Sequence, residues 1–146
     1  MPTYTVMAAA GRLTASQKQE IARGITRAHS AATGAQGFFA QVIFQAIPAG
    51  DHFLGGAPLA SDQLFVHGQI RAGRSADQKR GLLEALVTLV ANATSAEKRS
   101  VWVYLAELPP SHMVEYGQVL PEPGTESEWL DSMPESDREF LLGIGK

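Results

Sequence analysis

The sequence predicts an α+β domain of two layers: two tandem βαβ units whose four strands form one sheet, with both helices on a single face. Three observations lead there. The order strand, helix, strand occurs twice. The two helix starts are near copies, Thr14-Ala15-Ser16-Gln17-Lys18 and Ser75-Ala76-Asp77-Gln78-Lys79. Their apolar positions also coincide, Ile21 with Leu82 and Ile25 with Leu86. Together these make an internal repeat of about sixty residues, the kind of self-similarity that marks a doubled structural unit. Two unrelated amphipathic helices could give a similar match, because periodicity constrains sequence loosely.

The elements follow in order. Residues 2–8 (PTYTVMA) alternate as a strand does. Thr14 can cap a helix and Gln17 can close the capping box. Ile21, Ile25, Ala28 and Ala32 then recur at helical spacing as far as Gly34. Residues 40–46 (AQVIFQA) supply the second strand and complete a first unit over 2–47. The second unit, 63–108, begins with a strand at 63–71 (QLFVHGQIR). It continues with a helix capped by Ser75 and Gln78 that carries Leu82, Leu86, Leu89 and Ala93, and closes with a strand at 100–107 (SVWVYLAE).

Between the units, Phe53-Leu54-Gly55-Gly56 reads as a mobile cover or turn. In the remaining segment, 109–146, Pro109-Pro110 and Pro121-Glu122-Pro123-Gly124 separate short apolar pieces around Trp129 and Phe140. These pieces are too sparse for a core of their own and are expected to wrap the sheet or a neighbour. Pro134–Gly143 reads as a short helix with Pro in its first turn. The second face of the sheet stays bare and carries Gln41, Phe65, His67, Trp102 or Tyr104 according to register. Large side chains on an uncovered face are usually buried by another subunit, so an oligomer is expected.

A chain of 146 residues suits one domain, 1–146, with its own core. A net charge of −3 and a pI near 5.8 argue against a nucleic-acid partner held through phosphates. No basic run suits anionic lipid, and no segment approaches a membrane span. The absence of cysteine rules out disulfides, thiolate nucleophiles and thiolate metal sites. The start MPTYTVMAAAG has neither a cationic n-region nor an apolar run suited to a signal peptide, so a cytoplasmic location is expected. The sequon Asn92-Ala93-Thr94 carries no meaning without secretion.

Five places can carry chemistry. Initiator Met is usually trimmed before a small residue, which would leave Pro2 as a free secondary amine on a rigid ring. An ordinary α-amino group titrates near ~8, within reach of acid–base work at neutral pH; Met-Pro also begins many proteins for reasons of processing alone. Arg71 and Arg74 flank Gly73 just before the Ser75-capped helix, where two guanidinium forks and free N–H groups can hold a small carboxylate. They could equally be surface arginines paired with acids. His29 falls one turn after Ile25, where a histidine is more often structural. His52, His67 and His112 have no metal-ligand spacing with it, so no metal site is expected. Tyr104, two residues after Trp102, faces the same way and alone reads as core or interface. Glu115 lies within His112-Met113-Val114-Glu115-Tyr116-Gly117, either desolvated among apolar neighbours or a plain surface acid.

Pro2, His29, Arg71, Arg74, Tyr104 and Glu115 on a doubled βαβ frame resemble the tautomerase superfamily, and within it the cis-3-chloroacrylic acid dehalogenase family. The resemblance covers nearly the whole chain. It rests on Arg12-Leu13-Thr14, Ala40-Gln41-Val42, Phe53-Leu54-Gly55-Gly56, Phe65-Val66-His67-Gly68, Gly73-Arg74-Ser75-Ala76-Asp77, Val101-Trp102-Val103-Tyr104 and Met113-Val114-Glu115-Tyr116-Gly117. The resemblance implies a homotrimer and a cofactor-free hydrolytic dehalogenation of a small carboxylic acid. Arg71 and Arg74 would hold the carboxylate, with His29 adding a contact. Glu115, helped by Tyr104, would activate a water, and Pro2 would protonate carbon.

Relatives with the same six residues that mainly hydrate or decarboxylate three-carbon acids, or tautomerise enol acids, form the nearest alternative. A trimeric signalling protein with a vestigial N-terminal Pro is a more distant one. The chain departs from the family at Gly37-Phe38-Phe39 and at 57–62, where substrate choice is expected to lie.

Overall fold

Both helix starts close the capping boxes that the sequence predicts. Gln17 N–H donates to Thr14 Oγ1 at 3.1 Å and Thr14 N–H to Gln17 Oε1 at 3.0 Å. The second box repeats the arrangement between Ser75 and Gln78 at 3.1 and 2.8 Å. Each box satisfies orphan N–H groups at a helix start. Helix α1 (Ala15–Thr33) ends at Gly34 with φ 73°, and helix α2 (Ala76–Thr94) has the same length. The structure, a computed structural model, describes residues 2–37 and 40–146. Phe38 and Phe39, within one of the two departures from the family pattern, lie outside the described residues.

The main strands are β1 (Thr3–Ala9), β2 (Gln41–Ile47), β5 (Leu64–Arg71) and β6 (Val101–Leu108), in sheet order β2-β1-β5-β6. Strand β1 runs parallel to β2 and antiparallel to β5, and β5 runs parallel to β6. This is the predicted pair of βαβ units joined through their first strands. Alternation sends Tyr4, Val6, Leu64, Val66 and Ile70 onto the helices, where they pack with Ile21, Ile25, Leu82, Leu86 and Val90. On α2, Val90 and Ala91 hold buried positions, whereas Leu89 and Ala93 are only partly buried. Leu89 instead lies against Gly24 of α1, where a Cβ would come within 3.2 Å of its Cδ1.

The opposite face of the sheet is open. Trp102 is 42% and Tyr104 56% exposed, and Ile43 stands on the same side. All five side chains expected there, Gln41, Phe65, His67, Trp102 and Tyr104, have the parity that puts them on it.

The connecting segments hold more order than the sequence suggests. Of the two readings for the Gly55-Gly56 segment, a turn is found: Phe53–Leu54 (β3) and Ala57–Pro58 (β4) pair as a small hairpin around it. Val114–Glu115 (β7) and Gln118–Val119 (β8) form another, with helices α3 (Glu126–Asp131) and α4 (Glu135–Gly143) after it. The expected short C-terminal helix is α4, with Pro134 at its N-cap position rather than in its first turn. The expectation that this tail has no core of its own is corrected. Leu120, Trp129, Leu130, Met133 and Leu141 form a second buried cluster, aided by Trp129 Nε1–H donating to Val119 O at 2.8 Å. Among the described residues, no helix is long and apolar enough to cross a membrane.

Candidate active site

The sheet order brings distant parts of the sequence to one end. Thr3 pairs with Gln41 and with Gln69, and Arg71 pairs with Leu108. The start of β1 therefore lies beside the start of β2 and the ends of β5 and β6. Helix α1 runs back along β1 and returns its C-terminal turn to the same end. Pro2 sits there, buried, and its carbonyl accepts from Gln41 N–H at 2.9 Å.

His29, on that last stretch of α1, is 3% exposed. Its Nδ1 and Tyr4 Oη lie 2.8 Å apart, with the rings edge to face at 5.8 Å. Gly68 makes this possible. It pairs with Tyr4 across the sheet, and a Cβ there would fall 2.5 Å from Tyr4 Cε1. The ring can lie across β5 only because position 68 has no side chain. Burial pushes the Tyr4 phenol well above its usual value, so it keeps its proton. Burial, reinforced by the positive charges of Arg74 and Arg71, pushes His29 down to about 4. The imidazole is neutral at neutral pH. When its Nδ1 accepts from Tyr4, Nε2–H is left as its donor.

A pH effect on stability follows. Between the unfolded value of 6.5 and the folded value of about 4, the unfolded chain binds the His29 proton and the folded chain does not. Stability is complete above 6.5 and falls as pH drops through this window. Over pH 6.5 to 4, the wild-type protein should lose about 3 kcal/mol more than His29→Asn. Urea unfolding at intervals of half a pH unit measures the difference. Parallel pH dependences in the two proteins would refute this account of His29.

Arg71, at the end of β5, is 2% exposed. Its Nη1–H donates to Pro121 O at 2.7 Å, and Nη2–H donates to Glu126 Oε1 at 2.5 Å. Its Nε is buried with no hydrogen-bond partner among the described residues. Arg74 is half-buried and donates from Nη1 to Thr33 O at 3.1 Å, at the end of α1. Between them Gly73 has φ 108°, and a Cβ there would stand 3.2 Å from Pro123 Cγ. The turn between the arginines thus presses directly on the C-terminal segment. Burial and the charge of Arg71 lower the Arg74 pKa, with Glu126 opposing.

Glu115 approaches on the β7–β8 hairpin. The two-residue turn holds Tyr116 at φ 53° and Gly117 at φ 79°, the positive pair that a type I′ turn requires. Burial raises the Tyr116 pKa, and the negative charge of Glu115 adds to the effect. Glu115 lines a cleft of about 550 Å³ with Met113, Tyr116, Gln41 and Thr3. The carboxylate thus shares a cleft with the residue next to Pro2.

Of the six residues singled out, the fold draws Pro2, His29, Arg71 and Arg74 to one end of the sheet and gives Glu115 a cleft at its edge. Tyr104 is not among them. It stands mid-strand on the open face, opposite His67, with its ring edge-on to Phe65 at 5.0 Å. The departure at 57–62 also lies elsewhere. Asp62 is clamped by Arg12 at the far end of the sheet, so this segment does not line the chain's own cluster. Nothing in the sequence singles out Tyr4 or Glu126. Tyr4 was hidden inside a plain alternating strand, and Glu126 lies 55 residues from its partner with no local signal. Among the described residues, no group of three or more His, Cys, Asp or Glu is placed to hold a metal ion.

Residues 1–132 match the family model described as "Putative oxalocrotonate tautomerase enzyme". The crystal structure of N1, a member of the cis-3-chloroacrylic acid dehalogenase (cis-CaaD) family, is similar at a TM-score of 0.92 and 37% identity. The match covers 96% of this chain and 98% of that one. A fused 4-OT, solved as an asymmetric trimer, is 26% identical with a TM-score of 0.74, over 80% of this chain and 94% of that one. The macrophage migration inhibitory factor of Toxoplasma gondii shares the fold at 12% identity and a TM-score of 0.67, over 81% of this chain and 99% of that one. No curated protein gives a significant match.

Proposed function

Because the chain belongs to the tautomerase superfamily and, within it, to the cis-3-chloroacrylic acid dehalogenase family, we propose that it converts cis-3-haloacrylates and water to malonate semialdehyde and halide without a cofactor. The observation that carries this reading is the meeting of Pro2, His29, Arg71 and Arg74 at one end of the sheet, beside the cleft lined by Glu115.

In the proposed reaction, Arg71 and Arg74 bind the substrate carboxylate and draw electron density toward it, which makes C3 electrophilic. Their charge counts most as negative charge builds on the carboxylate oxygens. Neutral His29 adds a donor through Nε2–H. Glu115 takes a proton from water as the oxygen bonds to C3, and Pro2 gives a proton to C2. The product is a 3-halo-3-hydroxy acid. As its hydroxyl loses a proton, the C3–O bond becomes a carbonyl and halide leaves. Tyr104 supports Glu115. Since it stands on the open face, it serves the site of an adjacent copy in a homotrimer; the fused 4-OT relative is also a trimer.

The direction of proton transfer follows from the charges. Arg71 and Arg74 favour a neutral amine at Pro2, whereas the Glu115 carboxylate favours an ammonium. A proton donor to carbon needs the ammonium; a tautomerase base needs the neutral amine. Glu115 therefore supports water addition over enolisation. Either role requires Met1 to be removed, because an amide nitrogen neither gives nor takes this proton.

Purified protein should release chloride from cis-3-chloroacrylate at least roughly a hundredfold faster than from the trans isomer. Misplacing the reacting carbon by about 1 Å carries a penalty of that size. Ion chromatography of the two reactions makes the comparison. Turnover of only a propynoate or an enol acid would replace dehalogenation with the hydratase, decarboxylase or tautomerase reading.

A further inference from the structure

Arg71 is spent in an unusual way. The Nε–Nη2 edge of a guanidinium normally takes both oxygens of one carboxylate. Arg12 does so with Asp62, Nε to Oδ1 at 2.9 Å and Nη2 to Oδ2 at 2.8 Å. On Arg71 the same edge is half filled. Glu126 gives Oε1 to Nη2 and turns Oε2 to Gly124 N–H at 2.9 Å, leaving Nε buried without an acceptor among the described residues. An oxygen of a bound anion would satisfy this donor, while the Glu126 charge stays in place beside it.

We infer that Glu126 sets the charge class of acid this site accepts: it cancels one of two guanidinium charges and so selects a monocarboxylate over a dicarboxylate. The inference rests on the reading of Arg71 and Arg74 as the carboxylate site. The local count supports it. Arg71 and Arg74 contribute two positive charges and Glu126 one negative, His29 is neutral, and Lys79 and Glu107 at the same end pair with each other at 2.5 Å. The proposed Pro2 ammonium and the Glu115 carboxylate at the water end offset each other, so one net positive charge remains for the ligand. Glu126 stays ionised because its bonds to Arg71 and to backbone N–H outweigh its partial burial. It acts through Arg71 rather than on the reacting atoms, and is a positioning residue that also fixes charge.

The test is calorimetric titration of wild type, Glu126→Gln and Glu126→Asp with propionate and with malonate at pH 7.5, where malonate is doubly ionised. Both probes have three carbons and neither reacts. Glu126→Gln keeps the shape and the acceptor for Arg71 but removes the charge, and should raise the ratio of malonate to propionate affinity by roughly tenfold. Glu126→Asp keeps the charge and should hold the wild-type ratio. A rise below about threefold in Glu126→Gln, or an equal rise in Glu126→Asp, overturns the inference. Binding of neither acid to folded wild-type protein overturns the carboxylate-site reading instead, and the inference with it.

Discussion

Pro2→Ala should lower kcat/KM for cis-3-chloroacrylate by about a hundredfold or more while leaving the fold unchanged, because positioned proton transfer contributes on this scale. The variant is a test of placement. Alanine at position 2 also permits removal of Met1 and also has a free amine, but it lacks the ring that fixes the nitrogen relative to β1. The backbone anchor survives, since the Pro2 carbonyl, not its ring, accepts from Gln41 N–H. Circular dichroism and intact mass establish that the variant is folded and has lost Met1; steady-state chloride release then reads the effect. A rate within threefold of wild type would remove Pro2 from the mechanism. Protein prepared with Met1 retained should be inactive for a simpler reason, since its Pro2 nitrogen is an amide.

What the sequence discloses and what it hides divide along a physical line. Local signals survive folding. Two capping boxes, a repeated apolar stripe and the alternation of β5 and β6 are properties of consecutive residues, and they place α1, α2, the four strands of the main sheet and its open face. Arg71 and Arg74 are legible because they share one short turn. His29 shows the limit. Its helical position supports both a structural and a functional reading, and the structure gives it features of each: a buried bond to Tyr4 and the electrostatic influence of both arginines. Contacts made by a returning chain leave no local trace. Nothing around Glu126 tells that it meets Arg71, and nothing around Gly68 tells that a ring from β1 must pass over it. Strands of two residues, as in the hairpin bearing Glu115, fall below the length at which alternation can be read.

Glu115→Gln should cost more than Pro2→Ala, on the order of a thousandfold in kcat, because it removes the proposed base outright. The substitution is isosteric, and Tyr116 and Gly117 hold the positive φ values that the hairpin turn requires. A second effect separates this role from a structural one. Without the negative charge of Glu115, the net positive charge left by Arg71, Arg74 and Glu126 acts on the Pro2 amine, and the amine loses its proton at a lower pH. The residual activity of Glu115→Gln should therefore fall off at lower pH than that of wild type on its alkaline side. A pH–rate profile of kcat/KM from pH 5 to 10 in both proteins reads the displacement. If the variant were slow with an unshifted alkaline limb, Glu115 would remain the base but would no longer set the charge of Pro2. If it were fast, the water would need another activator, and the proposed reaction would lose its first step.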